Sequence, residues 1–175
     1  MKTLPVFLAV FLSACGSVGV DQYANNQPVF VATEFFNGRL VAHGMLKDFK
    51  GQVTRRFVAT IDASWNTDGV GTLDEHFTFD DGETQRRVWI LTPDGSGSYI
   101  GTAGDVVGPA PLKFSGNSLF LNYVLRIPYG DGTLDLMVDD RMYLIDESTL
   151  LNESALRKFG IKVGQLTLVI RKEID

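Results

Sequence analysis

The sequence predicts an all-β domain, an antiparallel meander either closed into a barrel or folded as a sandwich. Three observations predict it. Short β-type runs succeed one another through most of the chain, turn signals separate them at regular spacing, and several runs carry one apolar face. The runs lie at 39–47, 53–64, 70–79, 84–92, 98–103, 118–127, 133–138, 140–146, 149–154 and 162–172. The breaks hold "NTDG" (66–69), "DDGE" (80–83), "PDGSG" (93–97), "SGN" (115–117) and "YGDG" (129–132), where Gly and Asn supply positive φ at little steric cost. Helical signal is thin. "NESALRKFG" (152–160) suits a helical turn or a corner between strands.

Alternation assigns the faces, because successive side chains of a strand point to opposite sides of the sheet. In 53–63 the apolar face is Phe57, Ala59, Ile61 and Ala63. In 118–127 it is Leu119, Leu121, Tyr123, Leu125 and Ile127, and in 133–138 it is Leu134, Leu136 and Val138. At 140–146 Met142 and Leu144 face the core, which leaves Arg141 and Tyr143 outside.

The first residues read as an export signal. Lys2 precedes an apolar run from Leu4 to Leu12, too short for a bilayer span of about 20 residues. "LSAC" (12–15) places small residues before Cys15, the only cysteine of the chain. This pattern resembles the bacterial lipoprotein signal. The resemblance implies cleavage before Cys15 and acylation of its thiol and new amino group. More than one acyl chain gives stable anchoring. Gly16 after the cysteine lacks the aspartate that retains such proteins in the inner membrane, which implies the outer membrane with the domain in the periplasm. The expected organisation is a signal peptide at 1–14, a lipidated cysteine and flexible Gly/Asn/Gln-rich tether at 15–33, and a β-barrel domain at 34–175.

The mature chain also resembles a family of bacterial lipoproteins of unknown function. The matching stretches are "FFNGRLVAHG" (35–44), "GTLDEHFTFDDGETQRRVW" (71–89), "GDVVG" (104–108), "MYLID" (142–146) and "KFGIKVGQLTLVIRK" (158–172). The resemblance implies a lipocalin-like, calycin-type barrel of about 8–10 strands and supplies no activity.

Two stretches set adjacent arginines inside strands, "TRRF" (54–57) and "TQRRVW" (84–89). Arg55 shares a face with Phe57 and Ala59, and Arg87 with Trp89 and Leu91. On the strand between them Glu75 falls on the apolar face with Leu73, Phe77 and Phe79. If "DDG" closes the hairpin with Phe79 facing Glu83, Glu75 stands opposite Arg87. Arg56 and Arg86 face solvent. Two readings of the inward groups stay open. They form a structural ion cluster at one end of the barrel, since buried charge is tolerated mainly when paired. Or they meet the acidic head of a lipid-like ligand, for which the planar fork of arginine is suited. The candidate ligand-binding residues are Arg55, Glu75, Arg87 and Trp89.

Other chemistry finds little support. Net charge of −5 argues against nucleic acid. Asp80 and Asp81 sit in a turn, and Asp139 and Asp140 read as a strand break, so paired-carboxylate catalysis is not expected. His43 and His76 stand on different strands with no further histidine, so no metal site is expected. "GDVVG" (104–108) is not followed by a helix, which argues against a phosphate-binding loop. No cofactor and no enzymatic activity are expected. The partners expected are a membrane, through the lipid anchor, and a lipid or fatty-acid-like ligand if the barrel is open. A barrel solidly filled by side chains fits a scaffold lipoprotein with a protein partner instead.

Cys15→Ala is expected to release the domain into the soluble periplasmic fraction without unfolding it. Continued flotation with outer membranes would show that acylation is not the anchor.

Overall fold

The computed structural model describes residues 18–173, so Cys15 lies outside the described residues. Eleven strands occur in order: β1 (Gly38–Asp48), β2 (Val53–Trp65), β3 (Gly71–Phe79), β4 (Thr84–Pro93), β5 (Tyr99–Thr102), β6 (Val106–Val107), β7 (Ala110–Ser115), β8 (Ser118–Tyr129), β9 (Gly132–Leu144), β10 (Thr149–Lys158) and β11 (Ile161–Lys172). Neighbours pair in the order β8-β7-β5-β4-β3-β2-β1-β11-β10-β9, and β9 pairs β8 to close the ring. β6 adds to the same edge of β8 beyond β7. All pairings are antiparallel. Of the barrel and the sandwich that the strand spacing leaves open, the chain is thus the closed antiparallel barrel, complete within the described residues.

Three departures from the sequence reading have physical causes. β6 and β7 fall where the sequence predicts no strand, in a stretch interrupted by Pro109 and Pro111. Pro111 nevertheless pairs with Ile100 on the short β5. The runs at 133–138 and 140–146 are one strand, β9, which passes through Asp139 and Asp140 without interruption. The stretch 152–160 is β10 and its turn, not helix.

The interior is filled by alternate residues, among them Leu40, Ala59, Ile61, Leu119, Val138 and Leu150. Glycine makes room for rings at two places. A Cβ on Gly44 would overlap Cζ of Phe57, and one on Gly101 would stand 3.1 Å from the Trp89 ring. Both aromatics therefore lie flat across a neighbouring strand.

Residues 18–33 do not form the flexible tether expected from their composition. A 3₁₀ turn (Val20–Tyr23) and one helical turn (Ala32–Phe35) pack the segment onto one end of the barrel. Val20, Phe30, Ala32, Phe35 and Phe36 are buried. Phe30 meets Phe35, Phe36 and Phe114 edge-on or tilted, with centroids 5.5–5.7 Å apart. Trp65 Nε1 donates to the Phe36 carbonyl at 2.7 Å. The Phe30 amide donates to the Gly116 carbonyl at 2.8 Å, and a Cβ on Gly116 would overlap the Tyr23 carbonyl oxygen. Gly and Asn composition hid phenylalanine contacts that outweigh it. The segment is a plug. We call this end, with the 116–117 turn, the near end. The 49–52, 80–83 and 159–160 turns lie at the far end.

Phe30→Ala is expected to cost about 3–5 kcal/mol, the range for removing a buried aromatic ring. Chemical denaturation checks it. A loss within experimental error would restore the tether.

Candidate functional site

The β3–β4 ladder places Glu75 opposite Arg87. The "DDG" turn sets this register locally, with Phe79 N donating to the Glu83 carbonyl at 2.9 Å. Both side chains face the interior beside Trp89, Leu73 and Phe77, where they line a cavity of about 110 Å³. Most of its wall is apolar. Its polar groups are Glu75, Arg87, Tyr123, Asp140 and Asn152. Glu75 and Arg87 lie deep in the barrel and keep 14% and 19% of their side-chain surface accessible, beside the cavity that both line.

Arg87 is not paired chiefly with Glu75. Its Nε stands 2.9 Å and its Nη2 2.6 Å from Oδ2 of Asp105, and Nε lies 3.1 Å from Oδ1. Nη1 stands 4.0 Å from Oε2 of Glu75, beyond hydrogen-bond reach. Asp105 comes from the "GDVVG" loop, pinned where Arg126 N donates to the Asp105 carbonyl at 2.8 Å. This loop covers a seam in the barrel wall. β4 pairs β5 only from Ile90 to Pro93, and β6 pairs only β8. From Thr84 to Trp89 the outer edge of β4 has no strand partner among the described residues. The Arg87–Asp105 fork crosses that seam.

Asp140 is the site's second unforeseen group. It is buried, accepts from Ser154 Oγ at 2.8 Å, and is also bonded by Asn152 Nδ2, which donates in addition to the Arg141 carbonyl at 3.1 Å. Burial raises its pKa, and the Asn152 and Ser154 bonds oppose that rise. Burial pushes Glu75 up to about 7, the Arg87 charge opposing and Asp105 and Asp140 reinforcing. Burial likewise raises Tyr123, whose ring meets Trp89 edge-on at 5.4 Å. One guanidinium thus shares the interior with three carboxyl groups, two of them held toward the neutral form.

Arg55 does not join this group. The β2–β3 ladder begins at Phe57 opposite Phe79, so Arg55 lies beyond it, against the 80–83 turn. There it holds Asp81 at 2.7 Å and Glu83 at 2.5 Å, and its guanidinium stacks 3.6 Å from the Phe79 ring centroid. It caps the far end of the barrel. The other member of each doublet faces outward and is paired, Arg56 with Asp80 at 2.8 Å and Arg86 with Asp74 at 2.7 Å. Arg141 and Tyr143 lie outside the barrel. Arg141 bonds Asp139 at 3.0 Å, and Tyr143 packs on Tyr23 and Phe120. Both histidines are exposed, and no cluster suited to a metal ion exists among the described residues.

Fold and site together define a small closed antiparallel barrel around an ion-paired, largely apolar cavity. The chain belongs to the family described as "Protein of unknown function (DUF3833)", whose model matches residues 9–172. A search of curated proteins finds no match. Among solved structures the chain is similar to the S-type phycobiliprotein lyase CPES from Guillardia theta. Identity is 11% and the TM-score 0.48, over 79% of this chain and 89% of that one.

The Glu75 pKa has a stability consequence with a definite sign. A carboxyl raised from 4.5 to about 7 contributes stability that is fully present below its unfolded pKa and is lost as pH rises through about 7. The loss is on the order of 3 kcal/mol. Melting temperatures are therefore expected to fall between about pH 5 and pH 8, and to fall less in Glu75→Gln. Identical slopes in both proteins would show that Glu75 titrates as in the unfolded chain.

Proposed function

We propose that this protein is an envelope lipoprotein, held at the outer membrane through acylated Cys15, whose barrel binds a small amphiphile. The apolar part of the ligand enters the cavity and its acidic group meets Arg87. The observation that carries the reading is the cavity's mixed wall. An interior packed for stability alone has no need of a guanidinium with one free face, and Nη1 of Arg87 is turned to Glu75 without bonding it. Protonation of Glu75 removes the carboxylate charge that faces Nη1 of Arg87, so an anionic group is accepted there more readily below about pH 7.

The volume bounds the ligand. At about 110 Å³ the cavity is below the several hundred cubic ångströms of a drug-sized site and near that of a cavity able to hold a single small ring. It fits the end of an acyl chain or a small ring, not a whole phospholipid. The same observation favours the second reading, a filled scaffold barrel whose outer surface meets a partner protein. The reading is of a binding protein rather than an enzyme. Its support is that the cavity's polar groups are bonded to one another, Arg87 to Asp105 and Asp140 to Asn152 and Ser154.

Native mass spectrometry of the protein purified from its own membrane separates the two. The expected result is a retained amphiphile in the parent, absent from a folded Glu75→Gln/Arg87→Met double variant. A parent that carries no added mass supports the scaffold.

A further inference from the structure

The two adjacent turns at the far end differ from the rest of the surface. They are residues 47–53, "KDFKGQV", between β1 and β2, and residues 157–164, "RKFGIKVG", between β10 and β11. The β1–β11 ladder sets them side by side, with Asp48 opposite Gly164. Their large apolar side chains point into water: Phe159 is 91% exposed, Ile161 71% and Phe49 69%. Around them stand Lys47, Lys50, Arg157, Lys158 and Lys162. None of these five cations has a carboxylate within 4 Å among the described residues, whereas Arg55, Arg56, Arg86, Arg87, Arg126 and Arg141 all do. The one carboxylate on the two turns, Asp48, is committed to its own turn, accepting from the Lys50 and Gln52 amides at 2.9 Å. This patch therefore carries five cations against one carboxylate in a chain whose net charge is −5.

The backbone adds a third sign. Phe159 has φ of +49°, the one described non-glycine residue in that region. A bulky residue there is uncommon, and such an outlier points to function more readily than to folding. Gly160 beside it also has positive φ (+79°), so the two-residue turn between Lys158 and Ile161 asks for positive φ at both positions, and glycine would take the first with less strain than phenylalanine. Both strand pairs also shift register just before these turns, at Leu46/Lys47 and Leu156/Arg157. Bulges of this kind re-aim the residues beyond them.

We propose that this face docks on an anionic lipid surface. Phe49, Phe159 and Ile161 enter the interfacial region, and the ring of lysine and arginine meets the headgroups. Each such cation near an anionic membrane contributes about a fivefold gain in partitioning. Phenylalanine and aliphatic side chains of an interfacial face bury at the boundary of headgroups and acyl chains. The face is independent of any acyl anchor, because the segment that succeeds Cys15 packs at the near end of the barrel.

The test uses the chain from Gly16 onward, which holds the whole closed barrel and no cysteine. The probes are vesicles of phosphatidylethanolamine with phosphatidylglycerol, against vesicles of phosphatidylcholine alone. The chain is expected to float with the anionic vesicles, to float poorly with the neutral ones, and to be released by high salt. Lys50→Glu/Lys158→Glu is expected to lower the partition coefficient at least tenfold. Phe159→Gly is expected to weaken flotation while keeping or raising the melting temperature, since glycine takes the positive φ freely. A purely structural phenylalanine would lose stability there. Flotation unchanged in these variants, or equal on neutral vesicles, overturns the proposal. So does concentration-dependent self-association that the variants abolish in place of lipid binding, for then the occupant is a second copy.

Discussion

One ion pair spans the stretch of barrel wall that no strand pairing closes among the described residues. A ring of strands leaves no edge only where every strand has two neighbours, and β4 lacks its second neighbour from Thr84 to Trp89. The fork of Arg87 on Asp105 stands where backbone hydrogen bonds are missing. Taking a guanidinium out of water costs several kcal/mol, and only good geometry with a carboxylate offsets that cost. Because the fork spends Nε and Nη2 on Asp105, Glu75 receives only the more distant Nη1. That allocation leaves Glu75 too weakly compensated to keep an ordinary carboxylate pKa. The closure of the wall and the titration of the cavity thus have one cause.

How much of this arrangement is legible in the sequence depends on distance along the chain. Glu75 opposite Arg87 is legible because a tight turn fixes the register of its hairpin. Asp105 is not legible, since it reaches Arg87 from a loop 18 residues on, and no local rule aims a loop. Asp140 stands between. The period of two from Val138 to Met142 places it inward, but two adjacent aspartates have the look of a break. What makes the strand continuous is the pair Asn152 and Ser154 on the neighbouring β10, which bond the carboxyl. Arg55 fails in the opposite way. Its parity is inward, but the β2–β3 ladder ends at Phe57, so the side chain lies over Phe79 and reaches the 80–83 turn instead of the cavity. The antiparallel meander itself is plain from turn spacing, which does not by itself tell barrel from sandwich. The plug is not plain, because Asn, Gln and Gly around Phe30 give the composition of a tether.

The two ends of the barrel are built by different physics. The near end is sealed by aromatic contacts among Phe30, Phe35, Phe36 and Phe114, which water does not compete for. The far end is capped by Arg55 over Phe79, held by Asp81 and Glu83. Those partners are exposed, so the cap is screened by salt and contributes little to stability. Between the ends, the seam at β4 is closed by side chains alone. Entry to the cavity therefore costs least where no ladder has to break, at the far end or through the seam, and Arg87 stands at the second of these.

Buried charge weighs against the view that the interior is only a core. Replacing a buried ion pair by apolar side chains of like volume is often neutral or stabilising. Leu or Met at positions 75, 87 and 140 would suit the faces on which those residues lie, and would fill the cavity that they line. A chain under demand for stability alone has that solution within reach of its own pattern, since Leu73, Trp89 and Val138 already occupy the same faces. Keeping two carboxyl groups and a guanidinium there holds a partly polar space open inside an apolar barrel. It also places a proton on Glu75 that is exchanged near neutral pH. Closing the seam would need Arg87 and Asp105 and nothing more. Glu75 and Asp140 add no contact across it, and the seam therefore does not account for their burial.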